Sequence, residues 1–174
     1  MHVESHGGHR NPAQPSRCDL RGGGLQRHEI NWRVALTHRE IFERHVYAAI
    51  KRDPNAYAAM FTEDGVFEAP LVPQGHPLPS SMVGRDAIRT GTAAYQRFPA
   101  YQGTVNVEQS AYVLHETADP DVFIAEIDTV FDEANGQRTT MSLVKIFRIR
   151  DGQIVSLRDY FTPPPSVVSD RPAD

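Results

Sequence analysis

Two dipeptides, Asn135-Gly136 and Asp151-Gly152, constrain this chain more than any other feature. Each supplies the positive φ angles that a two-residue hairpin turn needs, and each is flanked by residues with a period of two. The stretches "VFIAEIDTVF" (122–131), "TTMSLVKIFRI" (139–149) and "IVSLRDYF" (154–161) are therefore predicted as consecutive antiparallel strands. A further strand is predicted over "TVNVEQSAYVL" (104–114), with Val105, Val107, Ala111 and Val113 on one face.

Taking both turns as two-residue loops fixes a register. Glu126 then opposes Lys145, Ile127 opposes Val144, and Val144 opposes Asp159. One face carries Glu126, Lys145 and Arg158 in a row, with Asp128 nearby, where alternating charges attract across strands. The other face carries Phe123, Ala125, Ile127, Val144, Ile146, Val155, Leu157, Asp159 and Phe161. Asp159 is thus expected to point inward beside Ile127, Val144 and Leu157.

An inward carboxyl has several physical explanations. It is held by N–H donors, or ion-paired with an Arg, or wet at a cavity mouth; or it lines a pocket, where poor solvation raises its pKa above about 3.9 and suits it to proton transfer. On the last reading, Asp159→Asn folds as well as the parent.

The first half of the folded region has the helical period. In "THREIFERHVYAAIKRD" Thr37 and Glu40 have capping-box spacing, and Phe42, Val46, Ala49 and Ile50 recur at helical intervals, predicting a helix over about 38–51. Asp53 and Pro54 have the N-cap and first-turn places of a short second helix that buries Tyr57, Met60 and Phe61. "VFEAPL" reads as a short strand, "VPQGHPLPSSMV" as a loop, and "GRDAIRTGTAAYQRF" as a third helix stopping at Pro99.

Residues 1–36 are rich in Gly, Pro, Arg and His without periodicity and are expected to be a disordered leader; 37–165 form one domain and 166–174 a flexible tail. The leader carries five Arg against three acids, which leaves 13 basic and 19 acidic residues for the rest, so nucleic acid is not expected as a partner. A single cysteine, Cys18, excludes an internal disulfide framework, and His2, His6 and His9 lack a carboxylate or thiolate companion, so no metal is expected. With no apolar run of membrane-spanning length, a cytoplasmic protein is expected. Nucleophile-elbow, phosphate-loop and dinucleotide motifs are all missing.

"FTEDGVFEAP", the Pro-Gly-rich loop, "GRDAIR" and the Asp-Gly turn followed by "RDYF" occur in an order that resembles the SnoaL-like branch of the nuclear transport factor 2-like superfamily, over roughly residues 38–164. The resemblance implies an α+β fold: a cone-shaped barrel of curled antiparallel sheet with three N-terminal helices packed on it, an apolar cavity at one end and a homodimer through the outer sheet face. On that face Met141, Leu143, Phe147 and Tyr160 are too apolar to leave in water. The segment around "RDYF" looks like the part that supplies an acid in the PhzA/PhzB proteins, so the resemblance assigns Asp159 as catalytic; the third helix reads "RTGTAAYQ" and lacks the His that comparison expects. Ketosteroid isomerase shares the fold, but its Tyr and two Asp are not matched here.

These readings converge on a small-molecule enzyme of the SnoaL-like type, working without a cofactor by proton transfer in isomerisation, cyclisation or dehydration. Its ligand would be small, apolar or aromatic and polyketide-like. Asp159 is the expected acid or base, with Tyr57, Phe61, His76, Tyr95, Ile127, Val144, Leu157 and Phe161 as ligand-binding candidates. The alternative is a non-catalytic binding module for an apolar ligand or partner protein. A second polar side chain within reach of Asp159 favours the enzyme; an unaccompanied carboxyl favours binding.

Overall fold

The computed structural model describes residues 36–97 and 103–162. The leader, apart from Leu36, and the tail lie outside these residues, as do Phe98 and Pro99 at the expected end of the third helix.

Helix α1 spans His38–Ile50, and the capping box is present: Thr37 accepts from the Glu40 backbone N–H while the Glu40 carboxylate accepts from that of Thr37. Its buried face is Ile41, Phe42, His45 and Ala48, the spacing of one helical stripe. Helix α2, Pro54–Ala59, is capped by Asp53, whose Oδ1 accepts from the N–H groups of Asn55 and Ala56. Strands β1 (Phe61–Glu68) and β2 (Ser81–Val83) precede helix α3 (Arg85–Arg97), so the third helix is inserted into the sheet region and does not complete an all-helical N-terminal half. Then come β3 (Thr104–Val105), β4 (Ala111–Glu116), β5 (Val122–Asp132), β6 (Arg138–Arg150) and β7 (Gln153–Tyr160).

These strands form one mixed sheet in the order β2-β1-β7-β6-β5-β3, with β4 also paired to β5. Only β1 and β7 run parallel. The class is α+β as expected, but the sheet is an open path with two edges and not a closed barrel.

The strand expected over 104–114 is broken. Asn106 accepts from the Gln109 N–H through its side chain and from the Ser110 N–H through its carbonyl, making a turn between β3 and β4. Asn side chains compete for backbone donors in this way, and here that outweighs the alternation. Val107 and Val113, expected to share one face of that strand, are 65% and 55% exposed.

Both hairpin registers differ by one residue from those predicted. After β5 the loop has three residues, Ala134–Gly136, with Glu133 N–H bonded to Gln137 O and Gly136 at φ +82°. Asn-Gly serves the αL position of a three-residue loop as well as it serves a two-residue turn. Ile127 therefore pairs with Leu143, and Glu126 with Val144. The second turn has two residues, Asp151 and Gly152 both at positive φ, but a bulge between Arg148 and Ile149 shifts the rest of the ladder, pairing Lys145 with Asp159.

Two one-residue shifts cancel in β7 and not in β6. Leu157, Asp159 and Phe161 keep the inner face; β6 is turned over. Leu143, Lys145 and Phe147 face inward, while Val144 and Ile146 lie outside beside Glu126, Arg158 and Tyr160. The expected charged row of Glu126, Lys145 and Arg158 does not exist, and Met141, Leu143 and Phe147 belong to the core side. Val155 is displaced from the inner face by fully buried Ile154.

Candidate active site

Paired strands divide the inner face into three rows. The first, Phe123, Phe147, Leu157 and Phe67, is buried and aromatic, with Phe123 and Phe147 stacked at 4.5 Å. α1 lies across it, setting His38 on Phe123, Phe42 on Phe147 and His45 edge-on to Phe147 at 5.3 Å. The third row begins with Tyr112, Ile127 and Leu143, of which only Leu143 is buried. Between them the middle row reads Leu114, Ala125, Lys145 and Asp159.

That middle row holds a buried polar chain. Lys145 Nζ lies 2.9 Å from Asp159 Oδ2 and 3.3 Å from His45 Nε2. Side-chain exposure is 13% for Lys145 and 8% for Asp159, and His45 is fully buried. Burial, and then the Lys145 ammonium, hold His45 well below its ordinary pKa, so the imidazole is neutral. An ammonium has only donors, so His45 Nε2 accepts and its proton sits on Nδ1. Tyr57 packs on His45 at 4.6 Å between ring centres, and burial followed by the Asp159 charge pushes its phenol well above 10. The cluster thus contains one cation, one anion and two neutral rings.

Two atoms of this chain, His45 Nδ1 and Asp159 Oδ1, are buried without a hydrogen-bond partner among the described residues. Native interiors seldom leave such groups unmatched, and a paired carboxylate with one idle oxygen is set to accept a proton or a hydroxyl.

Among the expected ligand residues, the structure gathers Tyr57 with Asp159, and His76 with Tyr95 and Phe161 at 5.7 and 6.2 Å between ring centres. Phe161 lies two residues beyond Asp159 on the same face, and Ile127 is half-buried in the third row. Phe61 and Leu157 are fully buried core residues. Val144 is on the outer face; Lys145 has its inward place. Sequence reasoning missed His45 and Lys145. The signals were a His on the buried stripe of α1 and a Lys inside the apolar run "LVKIF".

There are two surface grooves of about 370 Å³ each: one between α2 and α3 beside Asn55, Arg89 and Arg97, the other beside Val113, Glu126, Val144 and Tyr160 of the outer face and also bordered by Tyr112, Ile127 and Leu143 of the third row. Neither includes the buried chain, so size alone does not locate the chemistry.

Residues 42–157, spanning α1 to β7, match the SnoaL-like domain. The chain belongs to the SnoaL-like domain family. This SnoaL-like protein is 31% identical over 113 residues to an uncharacterised PhzA/B-like protein of Pseudomonas aeruginosa, covering 64% of this chain and 74% of that one. It resembles the crystal structure of a putative isomerase from Bacillus subtilis with TM-score 0.58 and 25% identity, covering 72% of this chain and 86% of the other. A putative polyketide cyclase from Pseudomonas putida shares the fold at TM-score 0.53 and 19% identity, over 79% and 99% of the two chains. No helix among the described residues is long and apolar enough to cross a membrane.

Proposed function

We propose that this SnoaL-like protein catalyses proton transfer without a cofactor, at carbon or oxygen next to a carbonyl or conjugated ring. Isomerisation, cyclisation and dehydration all contain such a step. The observation that supports this is the buried Lys145–Asp159 pair with its idle Oδ1, on the same sheet face as the half-open row. Lys145 is a second polar side chain within reach of Asp159, which supports an enzyme over a binding module.

The charges balance through the step. A substrate C–H proton passes to Asp159 Oδ1, the C–H electron pair moves into the adjacent carbonyl, and an enolate forms. Neutralising Asp159 leaves the Lys145 ammonium uncompensated as negative charge appears on the substrate. A fixed cation whose field is released by the proton transfer itself favours the transition state over the ground state. His45, neutral and bonded to Lys145, holds the ammonium against the sheet. Return of the proton to another carbon completes an isomerisation.

The relatives' descriptions, an isomerase and a polyketide cyclase, support an apolar or aromatic carbonyl compound as ligand. Cytoplasmic location and a homodimer formed through the outer sheet face, now centred on Val113, Val144 and Tyr160, belong to the same proposal. Mass spectrometry of ligands that copurify tests the reading. The expected ligand is a carbonyl compound that gains deuterium in D2O with the parent protein and not with folded Asp159→Asn; a saturated ligand unchanged by either speaks for a binding module.

A further inference from the structure

Outside the Lys145–Asp159 chain, His76 Nε2 is also buried without a hydrogen-bond partner among the described residues. His76 sits in the Pro-Gly-rich loop between β1 and β2. Its Nδ1 lies 3.1 Å from the Leu78 backbone N and 3.3 Å from the Leu78 carbonyl oxygen; the shorter contact, whose donor direction the backbone fixes, makes Nδ1 the acceptor. With Nδ1 accepting, the neutral ring carries its proton on Nε2. The ring lies between Tyr95 and Phe161, and Phe161, the first residue after β7, is two residues on from Asp159 in the chain. The loop therefore presents an idle N–H donor on the same side as the idle acceptor of Asp159, with aromatic rings beside it.

We infer that His76 is a ligand-binding residue whose Nε2–H donates a hydrogen bond to a carbonyl oxygen of the substrate. This deepens the proton-transfer reading and rests on it for the placement of the reacting end. An idle donor flanked by Tyr95 and Phe161 and an idle acceptor on Asp159 fit a ligand with an oxygen acceptor at one end and an acidic C–H or O–H at the other. They do not fit a pure hydrocarbon, because a buried donor left unmatched opposes binding.

The test uses 2-tetralone and tetralin, which share a skeleton and differ at the carbonyl. The parent protein should bind the ketone about 3- to 10-fold more tightly, the range for one hydrogen bond. The bound carbonyl stretch should fall below its value in an apolar solvent. His76→Phe keeps a ring against Tyr95 and Phe161 but has no N–H; it should bind both compounds equally and return the stretch to its apolar-solvent position. His76→Gln, whose amide reaches the place of Nε2, should restore the shift and guards against misfolding of the first variant. Equal affinities in the parent, failure of both compounds to bind, or a shift that survives in His76→Phe overturns the inference. None of these readings needs turnover. Proton exchange that survives in folded Asp159→Asn while the parent shows the carbonyl shift overturns the proton-transfer reading alone; exchange lost in Asp159→Asn while the parent shows no shift overturns the His76 inference alone.

Discussion

At the scale of single residues, the middle row departs most from ordinary core chemistry. Removing one member of a buried pair leaves an uncompensated charge, so Lys145→Met should destabilise the fold by about 3 kcal/mol or more, read from urea unfolding, whereas the double variant Lys145→Met/Asp159→Leu should recover most of that. This reverses the expectation that Asp159→Asn folds as well as the parent, which is tied to a pocket-lining carboxyl: with Lys145 2.9 Å away Asp159 is ion-paired, the amide leaves a buried ammonium without its counter-charge, and the variant should be less stable than the parent.

His45 predicts a pH dependence. Its folded pKa is depressed below 6.5, so as pH falls through 6.5 the unfolded chain takes up a proton that the folded chain refuses. The stability tied to this group is fully present above about 6.5 and is lost progressively as pH falls toward the folded value, by at most about 1.4 kcal/mol per pH unit. Unfolding free energies of the parent and His45→Gln, compared between pH 8 and pH 5, should run parallel above pH 7 and converge below 6.5. Parallel curves throughout would show that His45 is not held neutral.

At the scale of elements, the sequence was legible where a signal has one structural meaning and misleading where it has two. Thr37 and Glu40 allow only a helix start, and Asp53-Pro54 only another; both are found. Asp151-Gly152 gives the tight turn expected of it. Asn135-Gly136 suits loops of two or three residues, and nothing local distinguishes them. The bulge after Arg148 has no dipeptide signature: it lets fully buried Ile154 and Leu157, three apart, share one face. Asp159 could be placed inward because the two errors offset; Lys145 could not, because it lies between them. A related irregularity in β1 carries a prediction. Between Phe61 and Val66 the β1–β7 register shifts, and a Cβ on Gly65 would stand 2.9 Å from Phe61 Cβ, 3.1 Å from Thr62 O and 3.2 Å from Ile154 O. Two of these atoms are backbone, so Gly65→Ala should cost about 1–3 kcal/mol in thermal unfolding, as overpacking does.

At the scale of the whole molecule, the sheet divides its work between two faces. Outside, Val144, Ile146 and Tyr160 sit among Glu68–Arg158 and His115–Glu126 pairs, an apolar patch with a charged rim such as a second copy of the chain would cover. Light scattering at micromolar concentration should report a dimer for the parent and a monomer for Val144→Glu. A monomeric parent would refute that proposal without touching the inner face. Inside, a buried aromatic row, a polar row and a half-open row meet helix α1. The central claim is that the polar row moves protons, and the most direct measurement is loss of the α-proton signals of 2-tetralone in D2O, followed by nuclear magnetic resonance. The parent protein should accelerate exchange well above buffer, and Asp159→Asn, compared at equal concentration of folded protein, should fall back to the buffer rate. Exchange at the parent's rate in folded Asp159→Asn, or no acceleration by the parent, would contradict it.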